Sequence, residues 1–312
     1  MPAKPRATRT AARQIIAGGL ALTFWAARVP AVEPDAPRNL YVSVERDGRP
    51  VEGLDPTNFR LFVDGSPAPV QLAPQEQPAQ VVFVIENSSS AEYYRTEIAA
   101  AMQEFEETAP EGHWYALVSF ARDVEVVADF TRRKENIASA FDSMGQSGWQ
   151  DISTFDAVYN VVGKLRRIRG RHIVVLIGSG LDRYSERSLG DAEKQLQASD
   201  VTIYAIGTGT LLRRQYEPYV FPGLRMSEMQ ARGVLETLAE DSGGKVWFPD
   251  SASGFADAMR GVFTDMALQY RLFYAGGIPP DGKLHKINVK IVDFGGRAPG
   301  YKVRARKGWR AA

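Results

Sequence analysis

Cysteine is absent from this chain of 312 residues. Its absence excludes disulfide bonds, thiolate metal sites and cysteine nucleophiles together. Histidine is nearly as scarce, because only His113, His172 and His285 are present, so neither a zinc site nor a histidine-based catalytic triad is expected. The charges almost balance at a formal net charge of +1, which argues against nucleic-acid binding driven by electrostatics.

A hydrophobic run long enough to span a bilayer comfortably is also missing. The longest candidate, Ile15 to Ala27, has the length of a signal-peptide core and is followed by the small residues around Ala31. Basic residues precede it at Lys4, Arg6, Arg9 and Arg13. We predict a signal peptide over residues 1–31 and a periplasmic or extracellular product. A retained signal anchor is the alternative, and would be the only attachment to a membrane.

The most informative stretch begins with the apolar run Val81 to Ile85, which predicts a strand buried on both faces of a parallel sheet. Glu86, Ser88 and Ser90 follow it, and the spacing after Ala91 is helical. A strand, a polar loop and a helix form the βα turn at the carboxyl end of a sheet strand. Open α/β sheets bind their ligands at that end.

Strands and helices alternate from residue 79 to residue 268, which predicts a mostly parallel central sheet with helices on both faces. The exception is a predicted hairpin, Trp114–Phe120 with Val124–Phe130, that adds an antiparallel edge. The helix that starts near Met229 is predicted to end at Gly243, a residue typical of helix C-caps.

Both ends of the mature chain have a period of two and predict β structure, over residues 38–75 and 269–309. Domain termini usually lie close in space, so we predict that the two segments pack together as one small β-sandwich-like module with the α/β domain inserted between them. The proline-rich stretch Pro67 to Pro78 is interpreted as the linker between the module and the α/β domain.

The order of several short motifs resembles exported bacterial proteins related to the von Willebrand factor A (VWA) domain, of the type common in acidobacteria. The motifs are Leu40-Tyr41-Val42-Ser43-Val44, Gly48-Arg49-Pro50-Val51-Glu52-Gly53-Leu54, Asn58-Phe59, Asp64-Gly65, Leu238-Ala239-Glu240-Asp241-Ser242-Gly243-Gly244 and the ending Tyr301 to Trp309. The resemblance implies a Rossmann-like VWA domain flanked by β segments and without catalytic activity.

The same resemblance implies a metal-ion-dependent adhesion site, which this chain retains only in degenerate form. Glu86, Ser88 and Ser90 match the Asp-x-Ser-x-Ser loop with the acid lengthened. Ile152 stands where the family has Thr, and Ser179 stands where it has Asp. Asp151 and Asp182 are possible substitutes. Because Mg²⁺ requires near-ideal octahedral oxygen ligands, we expect no cofactor, or at most weak Mg²⁺ binding.

Two simpler interpretations compete for the same residues. Ser89 with Glu92, and Ser153 with Asp156, have the spacing of capping boxes, so helix capping alone could account for these serines. Glu86 could be satisfied by serine hydroxyls and a helix N-terminus instead of a cation. A hydrolase with Ser179 as nucleophile is a less favoured alternative, because only a distant histidine could serve it.

Aromatic and arginine side chains are concentrated in the loops at the carboxyl end of the predicted sheet. Such residues are enriched in protein interfaces, so they are our candidates for partner binding. They are Tyr93, Trp149, Arg183, Tyr184, Arg213, Tyr216, Tyr219 and Phe221. The alternative is that Tyr219 and Phe221 pack beneath their own loop.

These observations predict a non-enzymatic, exported module that binds a protein or a component of the extracellular matrix or cell envelope. The alternative is a structural or assembly component of the envelope, in which the β module makes the contacts and the α/β domain serves as scaffold.

Overall fold

The computed structural model describes residues 38–74, 78–145, 147–210, 222–292 and 300–311. The predicted signal peptide lies outside the described residues, and so do four candidate binding residues, Arg213, Tyr216, Tyr219 and Phe221. The described chain starts with five strands: β1 (Arg38–Arg46), β2 (Arg49–Pro50), β3 (Phe59–Val63), β4 (Ser66–Ala68) and β5 (Gln71–Ala73). The interpretation of Pro67 to Pro78 as a linker is wrong where β4 and β5 form.

The centre of the molecule is a six-stranded sheet in the order β11-β10-β9-β6-β7-β8. Its strands are β6 (Ala79–Glu86), β7 (Trp114–Phe120), β8 (Val124–Thr131), β9 (Arg171–Gly178), β10 (Thr202–Gly207) and β11 (Val246–Trp247). Every pair is parallel except β7 with β8, so the predicted antiparallel edge is confirmed. Because β6, β9 and β10 are buried on both faces, their sequences are continuous apolar runs.

Helices cover both faces of this sheet. They are α1 (Arg95–Thr108), α2 (Lys134–Asp142), α3 (Thr154–Leu165), α4 (Leu189–Gln197), α5 (Pro222–Ser242) and α6 (Ala252–Leu268). One core contains Phe83, Phe105 and Phe263, and the core on the opposite face contains Val84 and Leu235. As predicted, α5 ends at Gly243, whose φ of +83° is the left-handed conformation of a helix C-cap.

The last strands are β12 (Tyr270–Tyr274), β13 (Leu284–Ile291), β14 (Lys302–Arg304) and β15 (Gly308–Arg310). They pair with the strands at the beginning of the described chain, because β1 lies between β12 and β14, and β3 pairs with β13. The sheet that contains β1 and β12 and the sheet that contains β3 and β13 share one core. This core includes Leu40, Leu61, Leu272 and Val289. The fold is therefore an α/β domain inserted into a β-sandwich-like module built from both ends. The proposed boundaries at residues 38–75, 79–268 and 269–309 stay a prediction.

A buried ionic network joins the module to the α/β domain. Arg304 on β14 bonds to Glu45 Oε1 at 2.6 Å and to Asp265 Oδ1 at 2.5 Å. Asp265, near the end of α6, also accepts hydrogen bonds from Ser43 on β1 and from Tyr204 on β10. Because the charges are paired and hydrogen-bonded, their burial is compensated. The network fixes α6 and β10 to the sandwich.

Candidate functional site

The loops at the carboxyl end of the central sheet converge on the end of β6. We call this surface the rim and define it as residues 87–94, 121–123, 147–153 and 179–188. Backbone hydrogen bonds connect its parts: Ser89 N donates to Trp149 O at 2.8 Å, and Arg183 N donates to Ile152 O at 2.9 Å. Ser153 N donates in the same way to Ala121 O at 2.8 Å. The loops that the sequence places far apart thus form one surface.

Glu86, the last residue of β6, is buried in the middle of the rim and is fully hydrogen-bonded. Its Oε1 accepts a hydrogen bond from the Ser88 hydroxyl at 2.7 Å. Its Oε2 accepts two more, from the backbone N–H and the hydroxyl of Ser179, both at 2.7 Å. Its charge is one reason, after burial itself, that the pKa of Tyr94 is raised. Serine hydroxyls therefore satisfy this carboxylate, but the helix N-terminus considered from sequence does not take part.

The remaining candidate metal ligands make other contacts or lie away from the Glu86 carboxylate. Asp182 Oδ2 accepts from Phe155 N at 2.9 Å and from the Ser185 hydroxyl, so this carboxylate caps the start of α3. Ser90 and Ile152 line a cavity of about 390 Å³ at the surface. Asp151 is half-buried and is not among the described residues that line this cavity.

These donors fit a divalent cation poorly. Of the carboxylates in the described ranges, Glu86 alone lies at the centre, and both of its oxygens are engaged within the protein. Among the residues that the structure describes, no group of three His, Cys, Asp or Glu side chains could hold a metal ion. Mg²⁺ prefers several hard oxygen ligands in octahedral geometry. The arrangement offers too few of them.

Both capping boxes expected from the sequence are wrong. The 3-10 turn Ala91–Tyr94 and helix α1 begin without any side-chain cap, so Ser89 does not act as one. The Ser153 hydroxyl donates to Arg122 O at 2.8 Å and does not cap α3. Capping by serine therefore does not account for these residues.

The geometry also brings no histidine to Ser179 as the base of a nucleophile. Its hydroxyl donates to Glu86. The histidines are elsewhere: His113 Nδ1 accepts from Ala79 N at the start of β6, His172 lies near the start of β9, and His285 lies on β13. The hydrolase interpretation therefore lacks the serine–histidine contact that it requires.

A stack of three side chains forms one exposed feature of the rim. The Arg122 guanidinium lies over the ring of Trp149, with 4.8 Å from Cζ to the ring centroid, and over the ring of Tyr184, at 4.5 Å. Arg122 also donates a hydrogen bond to the Tyr184 hydroxyl. Trp149 and Tyr184 remain exposed on the outside of the stack. Sequence reasoning missed Arg122, although its place in the turn after β7 puts it at the same sheet edge as Glu86.

Tyr93 and Arg183, two further candidates, belong to the same surface. Both line the 390 Å³ cavity, together with Gln150 and Leu181. No acidic side chain lines this cavity within the described residues. The structure thus brings together the four described candidates, Tyr93, Trp149, Arg183 and Tyr184.

Comparison with known families identifies the domain. A sequence model of the von Willebrand factor type A domain matches residues 80–252, more than half of the chain. The chain belongs to the von Willebrand factor type A domain family. Domains of this family are typically non-enzymatic adhesion modules that mediate protein interactions, and some bind a metal at the adhesion site. Comparison with the curated proteins gave no significant match.

Several solved structures resemble this chain at low identity. Proximal thread matrix protein 1 from the mussel byssus, with a zinc-occupied MIDAS motif, is 19% identical over 65% of this chain and 49% of that chain, with a TM-score of 0.47. The PilB minor pilin from Streptococcus sanguinis is 10% identical over 63% of both chains, with a TM-score of 0.44. A von Willebrand factor type A protein from Catenulispora acidiphila is 15% identical over 88% of this chain and 64% of that chain, with a TM-score of 0.48. This chain spans about half the length of the mussel protein.

None of the helices in the described ranges has the length and apolar character needed to cross a membrane.

Proposed function

We propose that this VWA protein is an exported, non-enzymatic adhesion module that binds another protein, or a protein component of the matrix or envelope, through its rim. A degenerate metal-ion-dependent adhesion site lies at the centre of that surface. The basic and apolar start of the chain supports export, since it has the order of a signal peptide.

The distribution of exposed apolar side chains carries the proposal. Within the described residues, six large apolar side chains are exposed, from 40% for Ile168 to 71% for Met229. Four of them lie at the carboxyl end of the sheet: Tyr93, Trp149, Tyr184 and Met229. Large exposed apolar side chains grouped on one surface are typical of interaction sites.

The Arg122 stack supports the same conclusion. Ordering a long side chain on binding costs conformational entropy, and a guanidinium already held against two rings has lost that freedom before a partner arrives. Trp, Tyr and Arg are also the residue types that dominate binding energy in interfaces. The rim presents all three in one preformed contact.

Co-purification from the native host tests the proposal. Cross-linked partners would be recovered with the wild-type protein and with the variants Trp149→Ala, Tyr184→Ala and Ile168→Ala. Ile168 is the matched control, because it is exposed but lies before β9, at the opposite end of the sheet. We expect a partner set that both rim variants lose and that Ile168→Ala keeps. Equal recovery with all four proteins would contradict binding through the rim.

A second candidate function is a structural component that makes its contacts through the β module. The buried network of Glu45, Asp265 and Arg304 favours it, because this network would transmit load between the module and the VWA domain. Partners that bind equally well when the rim is changed, but are lost when the surface of the module is changed, would favour this alternative.

A further inference from the structure

The central carboxylate of the rim connects two loops directly. Glu86 ends β6, whereas Ser179 follows β9, and the two are 93 positions apart in the sequence. Two hydrogen bonds of 2.7 Å join them, from the backbone N–H and the hydroxyl of Ser179 to Glu86 Oε2. Hydrogen bonds to an ionised carboxylate are about twice as strong as neutral ones. Protein groups alone therefore make the contact between the two loops.

Two neighbouring features suit this arrangement to glutamate in particular. An aspartate at position 86 would carry its carboxylate one methylene closer to β6 and further from Ser179. Gly178 leaves the space that the longer side chain crosses, because a Cβ at this position would lie 2.9 Å from Glu86 Oε2 and 3.0 Å from Glu86 Cβ. The changes from the family pattern at positions 86 and 179 are thus complementary, since the longer acid meets a hydroxyl donor where a second acid would repel it.

The contact extends to the binding surface. Ser89, three residues after Glu86, donates its backbone N–H to Trp149 O at 2.8 Å. On the other side, Leu181 N donates to the Ser179 hydroxyl at 3.2 Å, and Tyr184 follows shortly after. Short backbone segments therefore connect Trp149 to Glu86 and Tyr184 to Ser179. These are the two rings that contact Arg122.

We propose that Glu86 is a positioning residue that holds the rim in its binding conformation by bonding to Ser179, so that the rim requires no divalent cation. This inference deepens the proposed function, because it concerns the same surface. Its test uses no partner, so its failure and the failure of rim binding can be told apart.

Hydrogen–deuterium exchange of the full chain, read at residues 86–94 and 178–184, provides the test. In Glu86→Asp and in Ser179→Ala we expect exchange in both segments to rise by about tenfold or more, because a hydrogen bond to a charged group is lost. The double variant should match Glu86→Asp alone, since Glu86→Asp already removes the hydroxyl hydrogen bond that Ser179→Ala removes.

Two matched controls separate positioning from general destabilisation. Ser88→Ala removes the other hydroxyl on Glu86 but not the contact between loops, so segment 178–184 should keep its protection. Ser199→Ala removes an equally buried hydroxyl, which donates to Leu196 O at 2.8 Å after α4, and should leave both segments unchanged.

A comparison of wild-type exchange in submillimolar Mg²⁺ and in EDTA completes the experiment. We expect the two exchange profiles to coincide. Rim protection that increases with Mg²⁺ would overturn the inference. Unchanged protection in Glu86→Asp and Ser179→Ala would overturn it as well, and so would additive effects in the double variant.

Discussion

At the scale of single residues, the length of one side chain determines the hydrogen bonding at the end of β6. Glu86 occupies both of its oxygens with Ser88 and Ser179, so it has little capacity left for a cation. Ile152 cannot ligate a metal, and it lines the surface cavity as an apolar wall. The residues that differ from the family pattern therefore have a consistent physical role.

The first prediction concerns metal affinity. Wild-type protein should bind Mg²⁺ only weakly, in the millimolar range or worse, as expected for a shell poor in carboxylates. The triple variant Glu86→Asp, Ile152→Thr, Ser179→Asp should create binding, and without metal it should be less stable because two close carboxylates repel. Calorimetric titration with Mg²⁺ and Mn²⁺ measures both proteins.

The control for this titration is a second triple variant that carries Ser179→Asn instead of Ser179→Asp. Asparagine keeps the shape of the aspartate side chain but removes its charge. It should bind more weakly than the triple variant. Micromolar binding by the wild type would mean that Asp151 or Asp182 completes the shell, and the degenerate-site interpretation would then be wrong.

At the scale of strands and helices, the sequence correctly predicted the features that depend on local sequence patterns. The apolar run of β6 was correctly predicted as a buried parallel strand, because a strand covered on both faces has no polar side. The cap of α3 could not be predicted, because it comes from Asp182. This residue accepts a hydrogen bond from the backbone N–H of Phe155, 27 positions away in the sequence. The linker prediction failed because β5 pairs with β12, a strand nearly 200 residues away in the chain.

The candidate site shows the same division. The polar residues after β6 were recognised because they follow a buried strand directly. The stack of Arg122 with Trp149 and Tyr184 was not predicted, because nothing near Arg122 in the sequence indicates that both rings will contact its guanidinium. That contact depends on how three separate loops pack.

The second prediction concerns His285, which joins two parts of the β module. Its Nδ1 lies 2.7 Å from Asp64 Oδ2 and its Nε2 lies 3.1 Å from Asp281 Oδ1. The bond with Asp64 raises the pKa of His285 and lowers the pKa of Asp64, while the Lys283 backbone N–H is the main cause of the lowered pKa of Asp281. Lys283 Nζ, 3.7 Å from Asp281 Oδ2, is the nearby cation.

The raised pKa means that the imidazolium stabilises the folded state fully below its ordinary value of about 6.5, and that this contribution is lost as pH rises through the folded pKa. The lowered carboxylate pKa values mean that their contribution is lost as pH falls below about 4. His285→Gln should therefore cost most unfolding free energy near pH 5 and less at pH 9. Urea denaturation measures this difference, and a cost that grows with pH would contradict the charged pair.

The third prediction concerns the sandwich. A chain ending at Leu268 removes the partners of β1 and β3, which exposes Leu40 and Leu61. Each such side chain contributes about 1.5–3 kcal/mol when fully buried, so aggregation or a broad unfolding transition is expected. A chain of residues 78–268, without either β segment, is the control and should unfold more sharply. If the chain ending at Leu268 melted as sharply and at the same temperature as the mature chain, the two ends would be independent.

At the scale of the whole molecule, the two ends of the described chain serve one purpose. They close a sandwich on one side of the VWA domain, and the ion network of Arg304 fastens that sandwich to α6 and β10. The rim lies where the strands of the central sheet end. If the rim binds a partner as proposed, binding belongs to the rim and the ion network belongs to a different part of the molecule.

The fourth prediction concerns export. Because basic residues precede the apolar run Ile15 to Ala27, we expect cleavage near Ala31 and a mature protein outside the cytoplasm. N-terminal sequencing of protein from fractionated native cells measures this. Recovery of an intact Met1 in the cytoplasmic fraction would contradict it.

The fifth prediction tests the central claim, that the rim is the binding surface. The dissociation constant of a co-purified partner would be measured for the wild type, Trp149→Ala and the control Ile168→Ala. An aromatic residue at the centre of an interface contributes about 2 kcal/mol or more, so Trp149→Ala should weaken binding about 30-fold or more while Ile168→Ala leaves it unchanged. Equal affinity of the wild type and Trp149→Ala, or a comparable loss in Ile168→Ala, would contradict the claim.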